Sequence, residues 1–574
     1  MDTGTQNETW AMELIDQLIA QGVDYFCCAP GSRSTPLALA ISKRQTYIVH
    51  FDERGSCFHA VGYAKATGKP AVVITTSGTA VGNLLPGIME AYNENVPLLL
   101  LTADRPPELR DCGANQTCDQ NKLFTNHVRW QVDFPCPDER MPAGYIASTI
   151  AQAVALSTSS PSGPVHINCM FREPLFSQSL PSTPPKKSVH FSPPELHPSQ
   201  KIVAFWSEML SLQRKGVIIA GSSALDQSQQ ILALAEKLKW PIFADILSPL
   251  RTFEDHPSLI THFDPILKCR ERGADAIFQI GNRFVSKTLA QWLEKQTPDF
   301  HLHVSEHSLR QDPSHLVTHR VHASPEIFLE KLLRIIPSQE DDSWRAQWHQ
   351  EDQVCSQALS SFFSKETALT EPGLIPLLAP LLTKDWALFL ANSMPIRDAN
   401  QFFRPIAQSG PIFGNRGVSG IDGNIATAAG YAQGARKPTV ALLGDLAFLH
   451  DINSLPYLNK IDYPVILCVI NNSGGGIFSF LPISKRQESF ETFFAASHET
   501  TFEHAAALFK IPYHHPQSLS DLKELLAHQK KSSYSCIIEI TTDRKENVRT
   551  HEQILDTIKT CLQNLPEVAL AIHR

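Results

Sequence analysis

Trp10, Leu14, Leu18 and Ile19 form an apolar stripe at helical spacing, and residues 23–28 follow as an apolar run of strand length. The loop APGSRSTP (29–36) opens a second helix, with Ser34 suited to its cap and Pro36 to its first turn. Residues 47–49, 71–75 and 97–102 read as further strands, each near a helical segment. Strands alternating with helices predict a parallel α/β sheet.

The same alternation recurs twice more. Residues 216–220, 241–246, 274–280 and 301–304 read as strands, with a helix over 231–238. Residues 386–390, 439–443, 464–470 and 536–540 give a third set. The Pro- and Ser-rich stretch 177–200 lacks periodicity and reads as a linker. A polar stretch near SQEDDSWRAQWHQEDQ separates the second and third blocks. The expected division is therefore 1–180, a linker at 181–200, 201–340, a linker at 341–364, and 365–574. The expected fold class is α/β, with three doubly wound parallel-sheet domains. The first and third blocks resemble each other in placing short polar motifs directly after strands.

Composition narrows the classes. The chain has 574 residues, 43% hydrophobic and 19% charged, with a net charge of −8 and no long basic run. This argues against nucleic-acid binding. No apolar run reaches the ~20 residues of a membrane helix, and MDTGTQNETW lacks a signal pattern. The twelve cysteines are scattered. They read as reduced thiols in a cytoplasmic protein.

Ligands of open α/β sheets bind beyond the carboxyl ends of the strands, and the informative residues follow strands. TVALLG runs into Asp445, and Asn472 ends PVILCVINN just before Ser473-Gly474. A carboxylate, an amide oxygen and a backbone carbonyl make a hard oxygen set suited to Mg²⁺ or Mn²⁺. Taken singly, Asp445 reads as a helix cap and Asn472 as a turn residue. The pair, each following a strand, reads as a metal and phosphate site.

GD followed about 26 residues later by NN resembles the signature of thiamine-diphosphate enzymes of the 2-oxoacid decarboxylase superfamily. The resemblance implies a pyrimidine-binding first block, a central Rossmann-like block and a diphosphate-binding third block. It implies that Asp445, Asn472 and the Gly474 carbonyl bind Mg²⁺. Glu53, in FDERG (51–55), is implied to press on the cofactor's aminopyrimidine and so activate it. Because the two elements lie in different blocks of partner subunits, the family pattern implies a homodimer or homotetramer.

Further motifs narrow the branch: APGSRSTP, TSGTA (76–80), LTADRPPELRDCGANQ (101–116), NSMPIRD (392–398), NRGVSGIDG (415–423) and NNSGGGIF (471–478). Together they resemble, over almost the whole chain, the menaquinone-pathway carboligases that join 2-oxoglutarate to isochorismate. That branch decarboxylates 2-oxoglutarate and adds the succinyl carbanion to isochorismate in a Stetter-like 1,4-addition. The two substrates carry four carboxylates, which arginine pairs bidentately. The resemblance assigns Arg33, Arg105, Asn115, Gln116 and Lys287 to isochorismate, and Ser393, Arg397 and Arg416 to the succinyl-bearing species; Ser32, beside Arg33 at a helix start, reads either as a donor to a carboxylate or as a cap. Lys287 rests on the shorter match NRFVSKTLAQW. Around the cofactor it implies Pro30, Gly31, Thr79, Ser419, Leu446, Gly475 and Ile477. Ile421 is to hold the cofactor rings bent, and Phe478 to line the substrate pocket. Leu446 replaces the superfamily's glycine, and Ala447 replaces a serine common in the branch, which removes a hydroxyl from the diphosphate.

Rival readings fare worse. Another thiamine-dependent decarboxylase or carboligase, such as an acetohydroxyacid synthase, leaves the arginine-rich loops unexplained. KGVIIAGSS is no full dinucleotide fingerprint, so no flavin is expected. Gly62 and Gly68-Lys69 miss the P-loop spacing, and Pro70 replaces its Ser/Thr. A regulator that has kept the fold without catalysis is expected to lose Glu53 or Asp445, and both are present.

Overall fold

Parallel strands buried on both faces read as unbroken apolar runs, and here they form three sheets. In the computed structural model, which describes residues 2–44, 46–177, 188–222, 227–253, 256–406 and 409–565, the first sheet holds β1 (Tyr25–Cys28), β2 (Thr46–Val49), β3 (Ala71–Thr75), β4 (Leu98–Asp104), β5 (Trp130–Phe134) and β6 (Pro164–Met170). The central sheet holds β7 (Gly216–Ala220), β8 (Ile242–Ala244), β9 (Ala276–Ile280), β10 (Phe300–Ser305) and β11 (His319–His322). The third holds β12 (Ala387–Leu390), β13 (Ile412–Phe413), β14 (Thr439–Gly444), β15 (Val465–Asn471), β16 (Tyr513–His514) and β17 (Cys536–Thr541). Every ladder is parallel. β3, β4, β9 and β15 are buried throughout, whereas the edge strands β2 and β11 each bury one residue in four.

The strand orders are β2-β1-β3-β4-β6-β5, β11-β10-β9-β7-β8 and β13-β12-β14-β15-β17-β16. The first and third sheets therefore share one topology. Their order reverses between β1 and β3 and between β12 and β14, and the crevices beyond those carboxyl ends are where such sheets bind ligands.

Three expectations change. Residues 341–364, read as a linker, lie almost wholly within the helix Ser343–Lys365, whose Trp344 and Trp348 are buried in the core shared by the central and third blocks. Arg345, Glu351, Asp352 and Ser356 are buried beside the tryptophans, which breaks the apolar stripe and hides the periodicity. Ser34 stands at the N-cap of the helix Thr35–Ser42, yet its hydroxyl donates to the Gly31 carbonyl (3.0 Å) and caps no N–H. Ser32 lies outside that helix. Of the stretch 181–200, residues 181–187 lie outside the described residues. No described helix is long and apolar enough to cross a membrane.

The first and third blocks pack through the helices Glu53–Thr67 and Asn424–Ala435, which share one apolar core with both sheets. Glycines set the approach. A Cβ on Gly62 would stand 2.1 Å from the Thr427 carbonyl oxygen, and one on Gly430 1.9 Å from that of His59. Beside them, Lys65 Nζ donates to the Gly414 carbonyl (2.7 Å) and Asn415 Oδ1 (2.8 Å) and pairs with Glu94. Buried Glu90 accepts the backbone N–H groups of Gly417 and Val418, both at 2.9 Å, and Glu94 accepts that of Arg416 at 2.6 Å. Two helices of the first block thus hold the backbone of the 414–418 loop of the third.

Gly430→Ala is expected to force these helices apart, at a cost of about 1–3 kcal/mol, and to lower the midpoint of thermal unfolding by several degrees. An unchanged midpoint contradicts the contact. Glu90→Ala leaves the buried Gly417 N–H unpaired, at about 1–3 kcal/mol, and frees the N–H of exposed Val418. Amide hydrogen exchange in a peptide covering 412–423 is expected to accelerate relative to wild type, while exchange in β15 stays slow.

Candidate functional site

β14 and β15 are neighbours, so Asp445 and Asn472 leave the same sheet edge side by side. Asp445 is buried and opens the helix Asp445–His450. Its Oδ2 accepts the N–H groups of Asn472 (3.1 Å) and Gly474 (2.9 Å), and its Oδ1 accepts that of Leu446 (2.6 Å). His498 Nε2 stands 3.4 Å from Oδ2. Burial raises the Asp445 pKa against the opposing effect of these bonds. Asn472 donates its Nδ2 to Glu371 Oε1 (2.8 Å), while its buried Oδ1 has no partner. An orphaned buried amide oxygen beside a buried carboxylate is a donor set short of a cation. The chain turns sharply here. Gly474 has φ +139°, and a Cβ on it would stand 2.4 Å from the Ala495 carbonyl oxygen. Among the described residues, no cluster of three or more His, Cys, Asp or Glu side chains offers another metal site. The oxygen set can hold a hard divalent ion, with Leu446, buried Ala447 and Gly475 next to it in the chain.

β12, beside β14, delivers Asn392 and Ser393. Ser393 has φ +75°, a conformation that favours glycine and persists only where the surroundings enforce it. Asn392 Nδ2 donates to the carbonyls of Asn415 (2.6 Å) and Gly420 (2.8 Å), fixing the loop that carries Arg416, Ser419 and Ile421. Arg416 Nη1 donates to Asn392 Oδ1 (2.6 Å), and Arg397 Nη1 to the Ser393 carbonyl (2.5 Å). Burial, and then the charge of Arg416, lowers the Arg397 pKa; burial likewise lowers that of Arg416. Two partly desolvated guanidiniums thus converge. Ser419 and Ile421 are exposed, Ile421 at 38%. A cavity of about 940 Å³ runs from Arg397 past Ile477, His551 and Phe480 to Lys287 of the central block. Phe478 lies half-buried in the same turn, against Phe494.

The first block forms a second cluster beyond β1, β3 and β4. Pro30, Gly31, Ser32 and Thr79 are exposed at strand ends. Arg33 is buried and donates to the Phe171 carbonyl (3.0 Å) and to the exposed Glu173 (2.8 Å). Arg105 is buried and donates to Ser77 Oγ; burial, then the charge of Arg33, lowers its pKa. Ser77 Oγ donates to the Gln116 carbonyl (3.1 Å), and Gln116 Nε2 returns a bond to the Ser77 carbonyl (3.0 Å). Asn115 is exposed beside it. Glu53 opens its helix behind the Asp52 cap, half-buried, with Asn83 Nδ2 at 3.5 Å. Its neighbour Arg54 donates to the His450 carbonyl (2.6 Å), at the far end of the helix that Asp445 opens.

Several residues at these sites carried no motif. Gln120, fully buried, accepts the Gly78 N–H (2.9 Å) and donates to Asn168 Oδ1 (2.8 Å), holding the TSGTA loop. Glu371, with its carboxyl pushed up to about 7 by burial and then by Asp398, holds Asn472. Asp398 accepts from His551 Nε2 (2.9 Å), whose pKa rises in consequence. Asp398 closes the motif NSMPIRD, whereas Gln120, Glu371 and His551 follow no strand end and lie in no quoted motif.

Residues 9–123 match the family model of the thiamine pyrophosphate enzyme N-terminal TPP binding domain, and residues 194–390 that of the middle domain of thiamine pyrophosphate enzymes. Proteins named 2-succinyl-5-enolpyruvyl-6-hydroxy-3-cyclohexene-1-carboxylate synthase are similar along the whole length. That of Salinibacter ruber is 39% identical, covering 98% of both chains. That of Rubrobacter xylanophilus is 39% identical, covering 96% of this chain and 98% of its own. That of Lysinibacillus sphaericus is 35% identical, with coverage of 96% and 98%. Among solved structures, benzoylformate decarboxylase from Polynucleobacter necessarius superposes with a TM-score of 0.74 at 18% identity, covering 93% of this chain and 98% of its own. A thiamin diphosphate-dependent enzyme from Mycobacterium smegmatis gives 0.70 at 18%, with coverage of 92% and 98%. These two likenesses bear on the fold alone. The three parallel sheets, the two switch-point clusters and the full-length relatives together identify the chain as a member of the 2-succinyl-5-enolpyruvyl-6-hydroxy-3-cyclohexene-1-carboxylate synthase family of thiamine-diphosphate-dependent enzymes.

Proposed function

We propose that the protein joins 2-oxoglutarate to isochorismate, releasing CO₂ and 2-succinyl-5-enolpyruvyl-6-hydroxy-3-cyclohexene-1-carboxylate, as a step of menaquinone biosynthesis. The observation that carries this reading is the convergence of Arg397 and Arg416 at one switch point and of Arg33 and Arg105 at the other. A decarboxylase acting on a monocarboxylic oxoacid has no use for four guanidiniums. Two substrates with four carboxylates do.

The cation site fits Mg²⁺ or Mn²⁺ through the Asp445 carboxylate, Asn472 Oδ1 and the Gly474 carbonyl. Bound there by its diphosphate, thiamine diphosphate supplies the nucleophilic carbon and the electron sink that decarboxylation of a 2-oxoacid requires. Leu446, Ala447, Gly475 and Ile477 flank the diphosphate. Backbone N–H groups there would take the place of the hydroxyl that Ala447 lacks. Glu53 accepts a hydrogen bond at the aminopyrimidine, with Pro30, Gly31, Thr79 and Ser419 around it, and Ile421 supports the rings. Arg397, Arg416 and Ser393 hold the carboxylate that comes from 2-oxoglutarate. Arg33, Arg105, Ser32, Asn115, Gln116 and Lys287 hold isochorismate, whose carboxylate displaces the exposed Glu173 from Arg33. Phe478 closes the apolar side.

Glu53 and the oxygen set belong to different blocks. Phe51, Val418, Ile421 and Leu481, exposed at 56%, 44%, 38% and 41%, fringe the two clusters. A second copy of the chain covers them in our reading, giving a homodimer or homotetramer with its sites at the interface. The twelve cysteines are all free thiols, in keeping with a cytoplasmic enzyme.

The test supplies thiamine diphosphate, Mg²⁺ and 2-oxoglutarate, with and without isochorismate, and follows isochorismate absorbance and CO₂. Consumption of isochorismate that requires 2-oxoglutarate is expected. CO₂ release with isochorismate untouched overturns the acceptor assignment. Glu53→Gln is expected to bind the cofactor yet lose at least about 100-fold in turnover. Arg397→Lys, which keeps charge but not the bidentate fork, is expected to raise KM for 2-oxoglutarate about 10-fold or more. An unchanged KM removes Arg397 from that role.

A further inference from the structure

An asparagine amide can turn over and exchange its oxygen for its nitrogen, so a cation ligand of this type needs something to fix its face. Asn472 Nδ2 donates at 2.8 Å to Glu371 Oε1, an oxygen that also accepts the Thr542 hydroxyl and so faces the amide as an acceptor. Its Oδ1 is thereby turned away from Glu371 and left buried without a partner. Glu371 is itself held firmly. It is the first residue of the helix Glu371–Leu378, is 2% exposed, and accepts the Thr542 hydroxyl at 3.1 Å on the same oxygen. Thr542 N–H donates to the Asn471 carbonyl (3.0 Å), which ties this anchor back to the strand that delivers Asn472. On the other side, Gly476 leaves room for the amide, since a Cβ there would stand 2.7 Å from Nδ2.

We propose that Glu371 is the positioning residue of the cation site: its carboxylate holds the Asn472 amide in the one orientation that presents Oδ1 to the metal. This rests on the reading that Asp445 and Asn472 hold a divalent ion. Buried behind Asn472, Glu371 acts on the site through that amide. It lies 101 residues from its partner in the chain, and no motif pointed to it.

The experiment titrates Mg²⁺ into the full-length protein with thiamine diphosphate at fixed concentration, by isothermal calorimetry, alongside thermal unfolding of the cofactor-free protein. Glu371→Gln retains a carbonyl that can accept from Nδ2, and is expected to keep Mg²⁺ affinity within about threefold. Glu371→Met removes the acceptor at similar volume, and is expected to weaken Mg²⁺ about 10- to 100-fold, as lost outer contacts of metal ligands do. A folded Glu371→Met protein with wild-type affinity overturns the proposal. A double-mutant cycle gives a second route if the methionine variant does not fold. Asn472→Asp sets two carboxylates against each other and is expected to lose Mg²⁺ binding. Adding Glu371→Gln, whose amide can donate to the new aspartate, is expected to restore part of it. Strictly additive losses overturn the proposal. Asp445→Ala separates the two claims. If it binds Mg²⁺ as wild type does, the cation-site reading fails and the Glu371 role falls with it. If Asp445→Ala loses binding while the Glu371 variants do not, only the positioning role fails.

Discussion

Two neighbouring parallel strands place the oxygen donors side by side, and the rest of the site depends on that adjacency. β14 and β15 stay in register from Thr439 opposite Val465 to Gly444 opposite Ile470, so Asp445 and Asn472 step off one edge within two positions of each other. The intervening segment is a crossover that returns the chain parallel to itself, which sets the wide spacing of the two residues. Burial then gives the pair its character. A carboxylate away from water needs compensation, and the N–H groups of Asn472 and Gly474 provide part of it. What they leave unsatisfied is an acceptor, Asn472 Oδ1, which is the oxygen that the proposed cation meets.

The frame around this edge is rigid for reasons separate from the site. Gly62 and Gly430 let two helix backbones touch, so the first and third blocks share a core. Arg251, wholly buried, donates to the Phe403 carbonyl (3.0 Å) of the third block and the Thr261 carbonyl (2.7 Å) of the central one. Glu90, Glu94 and Lys65 grip the loop before Ile421. Such a frame can hold Ser393 at φ +75° and keep Arg397 and Arg416 close despite their like charge. A flexible scaffold relaxes both.

The α/β class and all the strands read from the sequence appear in the structure, because buried parallel strands are continuous apolar runs bounded by polar turns. β5, β6, β11, β13 and β16 escaped notice: β6 is buried throughout, but His166 and Asn168 interrupt its apolar run, and β11 buries one residue in four. β5 is half-buried over four of its five residues, and β13 and β16 are two residues long. The helix Ser343–Lys365 was read as a linker because its buried face itself carries Arg345, Glu351, Asp352 and Ser356 between the tryptophans and Leu359. Site residues were legible where a strand end, a glycine and a polar side chain coincide, as at Asp445, Asn472 and Arg33. Gln120, Glu90 and Glu371 act by hydrogen-bonding residues far away in sequence. Their own neighbourhoods read as ordinary helix and loop, and only the folded contacts set them apart.

The distribution of charge bears on the chemistry more than its sum does. The chain carries a net −8, yet the crevices of both related sheets collect guanidiniums, and burial lowers the pKa values of Arg105, Arg397 and Arg416. A lowered arginine pKa means that the charged form is held at a cost in the empty site. That cost is offset when a carboxylate arrives, and the offset is greater in a partly dry crevice than in open water. Anionic substrates are therefore drawn to crevices on a protein whose overall charge repels them. In the proposed reading, the paired arginines favour molecules that present two carboxylates at once, although the chain as a whole is acidic.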